Sequence, residues 1–291
     1  MQFLHLLIVV GLALLVSAGS VTIRQKSSPP EKAGTGRRRG IAYNDPKFVH
    51  LFNVENNQMG WCYNWYPTSD ETSTPFEYVP MLWGNHDDVT RKWASAVQQA
   101  ANAQINSPTH LLSFNEPDIC EPGAGGSCMS VPSAVAAWNQ WMQPAKSIKE
   151  KMYLGSPAVS NGAHGRGLDW LRDFITACTS CSVDFICIHW YDAATNVEHF
   201  KRHVDAARTV AAGRPIWITE LGPRGTDEEI KTFLDQVIPW LEASGDVHRY
   251  AFFMAREGFL VNAQGNGLSE VGAYVTYWRS DGQRGFTVEP E

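Results

Sequence analysis

The sequence predicts a single-domain (β/α)8 barrel of the α/β class. Three observations lead to it. Eight short apolar, β-prone runs follow one another, most of them separated by amphipathic segments of helical spacing. That alternation is the signature of a parallel sheet covered by helices. The body, residues 40–291, matches the ~250 residues such a barrel takes and leaves no length for a second domain. The competing doubly wound sheet carries a phosphate loop after an early strand. Here Gly162-Ala-His-Gly165-Arg-Gly167 has other spacing and follows the fifth apolar run, so it reads as a loop.

Residues 1–18 stand apart from the barrel. Phe3 to Val16 is apolar, broken by His5 and Gly11, and ends in the small residues Ser17 and Ala18. This reads as a secretory signal peptide. It is shorter than the ~20 residues of a membrane span, and no second run of spanning length follows. Residues 19–39 are rich in Ser, Pro, Gly and basic side chains and cannot build a core. They end in Arg37-Arg38-Arg39, which reads either as a processing site or as a solvated basic tail.

The barrel units then follow in order. Gly40 to Tyr43 is the first strand, closed by Asn44-Asp45-Pro46. Met59 to Trp65 and Tyr78 to Trp83 are the second and third. Asp88 to Ala103 is a helix, with Val89, Trp93, Val97 and Ala100 on one face. His110 to Phe114 is the fourth strand and stops at Asn115-Glu116-Pro117. Ser133 to Lys149 is a helix opened by Pro132 and Ser133. Tyr153 to Val159 is the fifth strand, and Leu168 to Cys178 a helix. Asp184 to Tyr191 is the sixth strand; Val197 to Ala211 is a helix stopped by Gly213. Pro215 to Leu221 is the seventh strand. Asp227 to Ala243 is a helix with three acids in its first turn, where the helix dipole favours them. Tyr250 to Ala255 is the eighth strand, and Ser269 to Trp278 the last helix.

Charge narrows the function. Among 291 residues there are 24 basic and 30 acidic ones, a net of −6. Six of the basic residues lie in the tail, so the body is more acidic still. Such a surface is unsuited to nucleic acid. The six cysteines suit a secreted chain. Cys120 and Cys128 bracket a glycine-rich loop and form one candidate disulfide; Cys178 and Cys181 form another. Cys62 and Cys187 fall within strands and read as buried thiols. Neither the CxxC pair nor His199 and His203 completes a zinc set, so no metal and no cofactor are expected. No GxSxG elbow is present.

Catalytic residues of a (β/α)8 barrel sit at the C-terminal ends of its strands. The fourth strand ends in Asn115-Glu116, the sixth in His189-Trp190-Tyr191 and the seventh in Thr219-Glu220. A carboxylate at the mouth of an apolar strand is costly to desolvate. Two of them across one mouth are what glycoside hydrolysis requires, one as proton donor and one as nucleophile.

These residues resemble the retaining glycosidases of clan GH-A. The stretches Arg39–Asn44, Trp61–Trp65, Tyr78–Trp83, Ile188–Tyr191 and Tyr250–Phe253 resemble, more narrowly, the fungal β-1,3-glucanases of glycoside hydrolase family 128, with their Asl1-like catalytic core. The resemblance spans Arg39 to Trp278. It implies a secreted or cell-wall enzyme, an endo-β-1,3-glucanase that acts with net retention. It implies Glu116 as acid/base, Glu220 as nucleophile, and Asn115 on the sugar 2-hydroxyl. His189 and Tyr191 would support Glu220 and the substrate. Many clan members carry a Trp at the end of strand eight, where this chain has Phe252-Phe253-Met254.

The chain holds 11 Trp, and indole faces stack on sugar rings. Trp61, Trp65, Trp83 and Trp190 lie near strand ends and read either as sugar subsites or as barrel packing. The helical Trp residues and Trp217 read as core. The protein is expected to act as a monomer on a polysaccharide. The alternatives are a glucan-binding barrel without turnover and a glycosidase for mannan or xylan.

Overall fold

The computed structural model describes residues 37–69 and 74–279; the proposed signal peptide and most of the basic tail lie outside these residues. Eight parallel strands run in chain order: β1 (Arg39–Tyr43), β2 (Met59–Tyr63), β3 (Glu77–Tyr78), β4 (His110–Leu111), β5 (Tyr153–Leu154), β6 (Ile186–Ala193), β7 (Ile216–Arg224) and β8 (Val247–Ala255). Six form one sheet in the order β3-β2-β1-β8-β7-β6, and β4 pairs with β5. Single bridges join the two groups: Met81 to Leu112 on one side, Gly155 to Phe185 and Val159 to Ile188 on the other. The ring of strands therefore closes, as the sequence predicts.

Alternation along each strand sorts side chains into two layers. Trp61, Tyr63, Met81, Leu112, Phe185, Cys187 and Trp217 fill the barrel interior. Ile41, Cys62, Leu111, Ile186, Ile188, Ile216 and Ile218 face outward, into the layer shared with the helices. Gly40 is small because the Trp61 indole lies against it; a Cβ there would come within 2.2 Å of the ring.

The helices are α1 (Asp87–Ala101), α2 (Val131–Ala137), α3 (Gln143–Ala145), α4 (Leu168–Ala177), α5 (Val197–Ala211), α6 (Asp227–Ala243) and α7 (Glu270–Tyr277). The first crossover is a 3-10 helix, Pro46–Phe52, where the sequence shows only a turn. The helix expected from Ser133 begins earlier, at Val131, because Ser130 caps it by accepting from the Ser133 N–H. It then widens into a π turn at Trp138–Met142 and, after Ala145, unwinds through three-residue turns. Pro144 lacks the N–H that would bond back to the Gln140 carbonyl, which interrupts the ladder at the π turn. In α6 the sequence cue holds: Thr226 and Glu229 form a reciprocal capping box.

The basic run corrects the tail boundary. Arg39 is the first residue of β1 and is buried. Its guanidinium donates to Tyr250 Oη at 2.9 Å, to Val275 O at 3.0 Å and to Glu242. Arg38 donates to the carbonyls of Leu241, Ser244 and Val247, and Arg37 to Asn57 Oδ1. All three belong to the folded body.

Both candidate disulfides are present, Cys120–Cys128 and Cys178–Cys181. Cys62 and Cys187 are buried. Among the described residues, no helix is long and apolar enough to cross a membrane.

Candidate active site

Three strand ends deliver the reactive groups to one point. β4 stops at Leu111, and the chain runs on to Asn115, which bridges Ala158 beyond β5. The next residue, Glu116, takes a left-handed φ of 39°. That conformation is unusual for a non-glycine residue. The Glu116 N–H donates to Ala158 O at 2.7 Å, which holds the turn.

The seventh strand uses a bulge. Ile188 pairs with Ile218, but His189 pairs with Glu220, so Thr219 and Glu220 together oppose one residue of β6. A bulge of this kind re-aims side chains. Both residues now meet the His189 ring. Its Nε2 lies 3.0 Å from Thr219 Oγ1, and its Nδ1 lies 3.5 Å from Glu220 Oε2. The same Nδ1 lies 3.0 Å from Glu116 Oε1. The imidazole is completely buried, between the two carboxylates.

Glu220 is held on both oxygens. Trp65 Nε1 donates to Oε1 at 2.8 Å, and the Tyr191 hydroxyl donates to Oε2. An indole N–H is a donor only, which suits an ionised carboxylate at Oε1. Tyr191 is fixed in turn by a reciprocal pair with Asn161: its N–H donates to Oδ1, and its carbonyl accepts from Nδ2, both at 3.1 Å.

Burial pushes the Glu220 carboxyl above the usual carboxylate range. His189 and the two donors pull it down, Glu116 adds to the rise, and the net direction is upward. For His189, burial opposes the charge, but Glu220 and Glu116 together raise the imidazole above its ordinary value. Burial and Glu220 also push the Tyr191 phenol far up, so it stays a donor.

An aromatic wall borders the pair. The half-buried rings of Trp65 and Tyr191 each meet Phe253 edge-on, at 5.6 and 5.4 Å. Phe253 lies near the end of β8, the position where the resemblance leads one to look for a Trp. Trp83 is half-buried, and its carbonyl accepts from the Asn115 N–H at 2.8 Å.

Most of the expected site residues meet here: Glu116, Glu220, His189, Tyr191 and Trp65, with Asn115 and Trp83 alongside. Two do not. Trp61 faces inward but lies below the mouth, completely buried against Trp217, with its N–H on Arg38 O. Trp190 has the opposite parity to His189 and Tyr191 and packs outside the barrel against Phe200 and Phe233. Neither faces a ligand; both are packing residues. Four contributors carry no motif of their own: Phe253, Thr219, Asn161 and Tyr63, whose hydroxyl donates to Thr219 O at 2.7 Å. His203, whose spacing from His199 completes no zinc set, points inward. It donates to His189 O at 3.1 Å, and burial lowers its value to about 4.

No metal was expected. The cluster of Glu116, His189 and Glu220 nonetheless offers three ligand atoms within 4.8 Å of one another, a set that could hold a cation. In this arrangement the imidazole Nδ1 is engaged with the two carboxylates. Chemically, the site provides two buried carboxyl groups side by side, Glu220 held by donors on both oxygens.

Comparison with known proteins follows the same lines. The family model described as the glycosyl hydrolase catalytic core matches residues 40–275. Alkali-sensitive linkage protein 1 of Schizosaccharomyces pombe is 31% identical over 236 residues. That match covers 76% of this chain but 40% of the yeast protein, so the chain spans well under half of that relative's length. A solved structure, a curdlan-specific exo-β-1,3-glucanase of glycoside hydrolase family 128 from Blastomyces gilchristii, is 36% identical. It aligns with a TM-score of 0.72 over 82% of this chain and 97% of that one. A family 128 endo-β-1,3-glucanase from Sorangium cellulosum is 26% identical, with a TM-score of 0.67 over 84% and 99%.

Proposed function

The chain belongs to the glycosyl hydrolase catalytic core family, as a member of glycoside hydrolase family 128, and from that premise we propose that it cleaves β-1,3-glucan with net retention. The observation that carries this reading is the spacing of Glu116 and Glu220, whose nearest oxygens lie within 4.8 Å. Retaining enzymes hold their carboxyl groups ~5–5.5 Å apart; inverting enzymes leave ~6.5–9.5 Å for a water.

In this mechanism Glu116 protonates the glycosidic oxygen while Glu220 attacks the anomeric carbon. The glycosyl-enzyme is then hydrolysed by a water that Glu116 deprotonates. Trp65 and Tyr191 fix both oxygens of Glu220, so the nucleophile arrives oriented. The Trp65, Tyr191 and Phe253 rings supply apolar surface for the sugar being cleaved. His189 lies against both carboxyl groups and favours the charged form of Glu220. Two disulfides support an oxidising, extracellular setting, which agrees with the signal peptide expected from residues 1–18.

The test is product analysis with laminarin and curdlan, and with mannan and xylan as controls. Wild type is expected to release glucose or laminari-oligosaccharides of retained anomeric configuration. Glu116→Gln and Glu220→Gln are expected to lose release while keeping the fold. Glucose alone marks exo action, as in the Blastomyces enzyme; a ladder of oligosaccharides marks endo action. Turnover of mannan or xylan in place of β-1,3-glucan moves the substrate. Binding of laminari-oligosaccharides without release makes the protein a glucan-binding barrel.

A further inference from the structure

The loop after Glu116 returns to the residue before it. Cys120 and Cys128 are joined, with their Cα atoms 4.6 Å apart. Within this closure the Ser127 N–H donates to Asn115 O at 2.8 Å; just before it, the Ile119 N–H donates to Glu116 O at 3.0 Å. Gly126 is pressed against the turn. A Cβ there would lie 2.3 Å from Ile119 O and 2.7 Å from Glu116 O. Gly125 has a φ of +86°, and its carbonyl accepts from Asn115 Nδ2 at 3.0 Å.

That last bond decides which way the Asn115 amide faces. Rotated by half a turn, the side chain would set Oδ1 against the Gly125 carbonyl, two acceptors with no proton between them. In the orientation observed, Oδ1 is buried without a partner. A buried acceptor left unpaired costs desolvation energy, so the orientation is held against that cost. Oδ1 is closed off, and one Nδ2 hydrogen is taken by Gly125. The remaining Nδ2 hydrogen is the group left for a ligand.

We infer that the disulfide-closed loop Cys120–Cys128 is a positioning element for the substrate: its Gly125 carbonyl orients the Asn115 amide so that an N–H, not the carbonyl oxygen, meets a sugar hydroxyl. The inference rests on the glucanase reading above and adds to it. The resemblance assigns Asn115 to the sugar; the loop determines what Asn115 presents. The hydroxyl is then bound as an acceptor.

A double-mutant cycle tests this. Wild type, Asn115→Ala, Cys120→Ala/Cys128→Ala and the triple variant are assayed on an aryl β-laminaribioside. Opening the loop is expected to lower kcat/KM by about tenfold or more in wild type. In the Asn115→Ala background it is expected to cost nothing further. An equal loss in both backgrounds, or no loss in either, overturns the inference. A second measurement needs no variant and no turnover. In wild type, the two side-chain amide protons of Asn115 are followed by NMR. One is expected to be protected from exchange, and the other to shift when laminaritriose is added. Two freely exchanging protons overturn the loop's role even if hydrolysis is intact. Protection without turnover or binding leaves the loop's role standing and overturns the glucanase reading alone.

Discussion

The phenol ring of Tyr191 occupies the space that a side chain on Gly222 would fill. A Cβ at Gly222 would lie 2.3 Å from both Cδ1 and Cε1 of that ring. The two residues face each other across the β6–β7 ladder, and the Tyr191 hydroxyl reaches Glu220. The absence of one methyl group therefore sets the distance from a donor to the Glu220 carboxyl.

Gly222→Ala is expected to push Tyr191 off Glu220 and to reproduce much of the Tyr191→Phe defect. A hydrogen bond to a charged group contributes ~1.5–3 kcal/mol, so each variant should lose about 10- to 100-fold in kcat. Steady-state kinetics on laminarin check this. Wild-type kcat in Gly222→Ala would show that the ring can yield without releasing Glu220.

The acid limb of the pH–rate profile should follow Glu220, which the proposed mechanism requires to be ionised. Burial holds its carboxyl above the ordinary 4.5, so the limb should lie above that value. Tyr191→Phe removes a group that favours the charged form and should move the limb further up. A limb that stays put in Tyr191→Phe would assign it to another group.

Stability should fall as pH rises, for two reasons of the same sign. The folded-state value of His189 is raised above 6.5. Its stabilising charge is therefore present below 6.5 and is lost as pH climbs through the folded value. Glu220 is also raised, so the native state keeps that proton longer than the unfolded chain does. Its contribution declines from 4.5 upward. Thermal melts from pH 4.5 to 8 should show a falling Tm in wild type and a shallower slope in Glu220→Gln. Equal slopes would remove Glu220 from the linkage.

The tryptophans should divide by what they touch. Trp190→Ala deletes a buried ring packed on Phe200 and Phe233 and should cost ~3–5 kcal/mol of stability. Trp65→Phe keeps a ring beside Phe253 but removes the N–H from Glu220. It should lower kcat with little change in Tm. Denaturant melts and kinetics on both variants check the division; the opposite pattern would exchange their roles.

Much of this was legible in the chain. Eight apolar runs gave eight strands because buried parallel strands need continuous apolar sequence. Glu116 and Glu220 were legible because a carboxylate at an apolar strand's end needs a reason to be there. Trp190 was legible in principle, since strict alternation from His189 turns it outward. Trp61 was not, because parity tells inside from outside and says nothing of depth. Phe253 was hidden because a phenylalanine in an apolar strand looks like core. Arg39 was hidden because three arginines in a row look solvated until Tyr250 and Glu242, more than 200 residues away, are brought beneath them.

The bulge in β7 has a consequence for the length of that strand. Between the outward-facing Ile218 and Leu221, regular alternation leaves room for one inward side chain. The strand instead places two, a hydroxyl for one side of the imidazole and a carboxylate for the other. Deleting either residue would restore a regular ladder and leave His189 gripped from one side. The placing of Glu220 thus depends on a count as well as on an identity: a strand shortened by one position, with every remaining letter intact, would keep its place in the barrel and lose half of its hold on the ring that touches both acids.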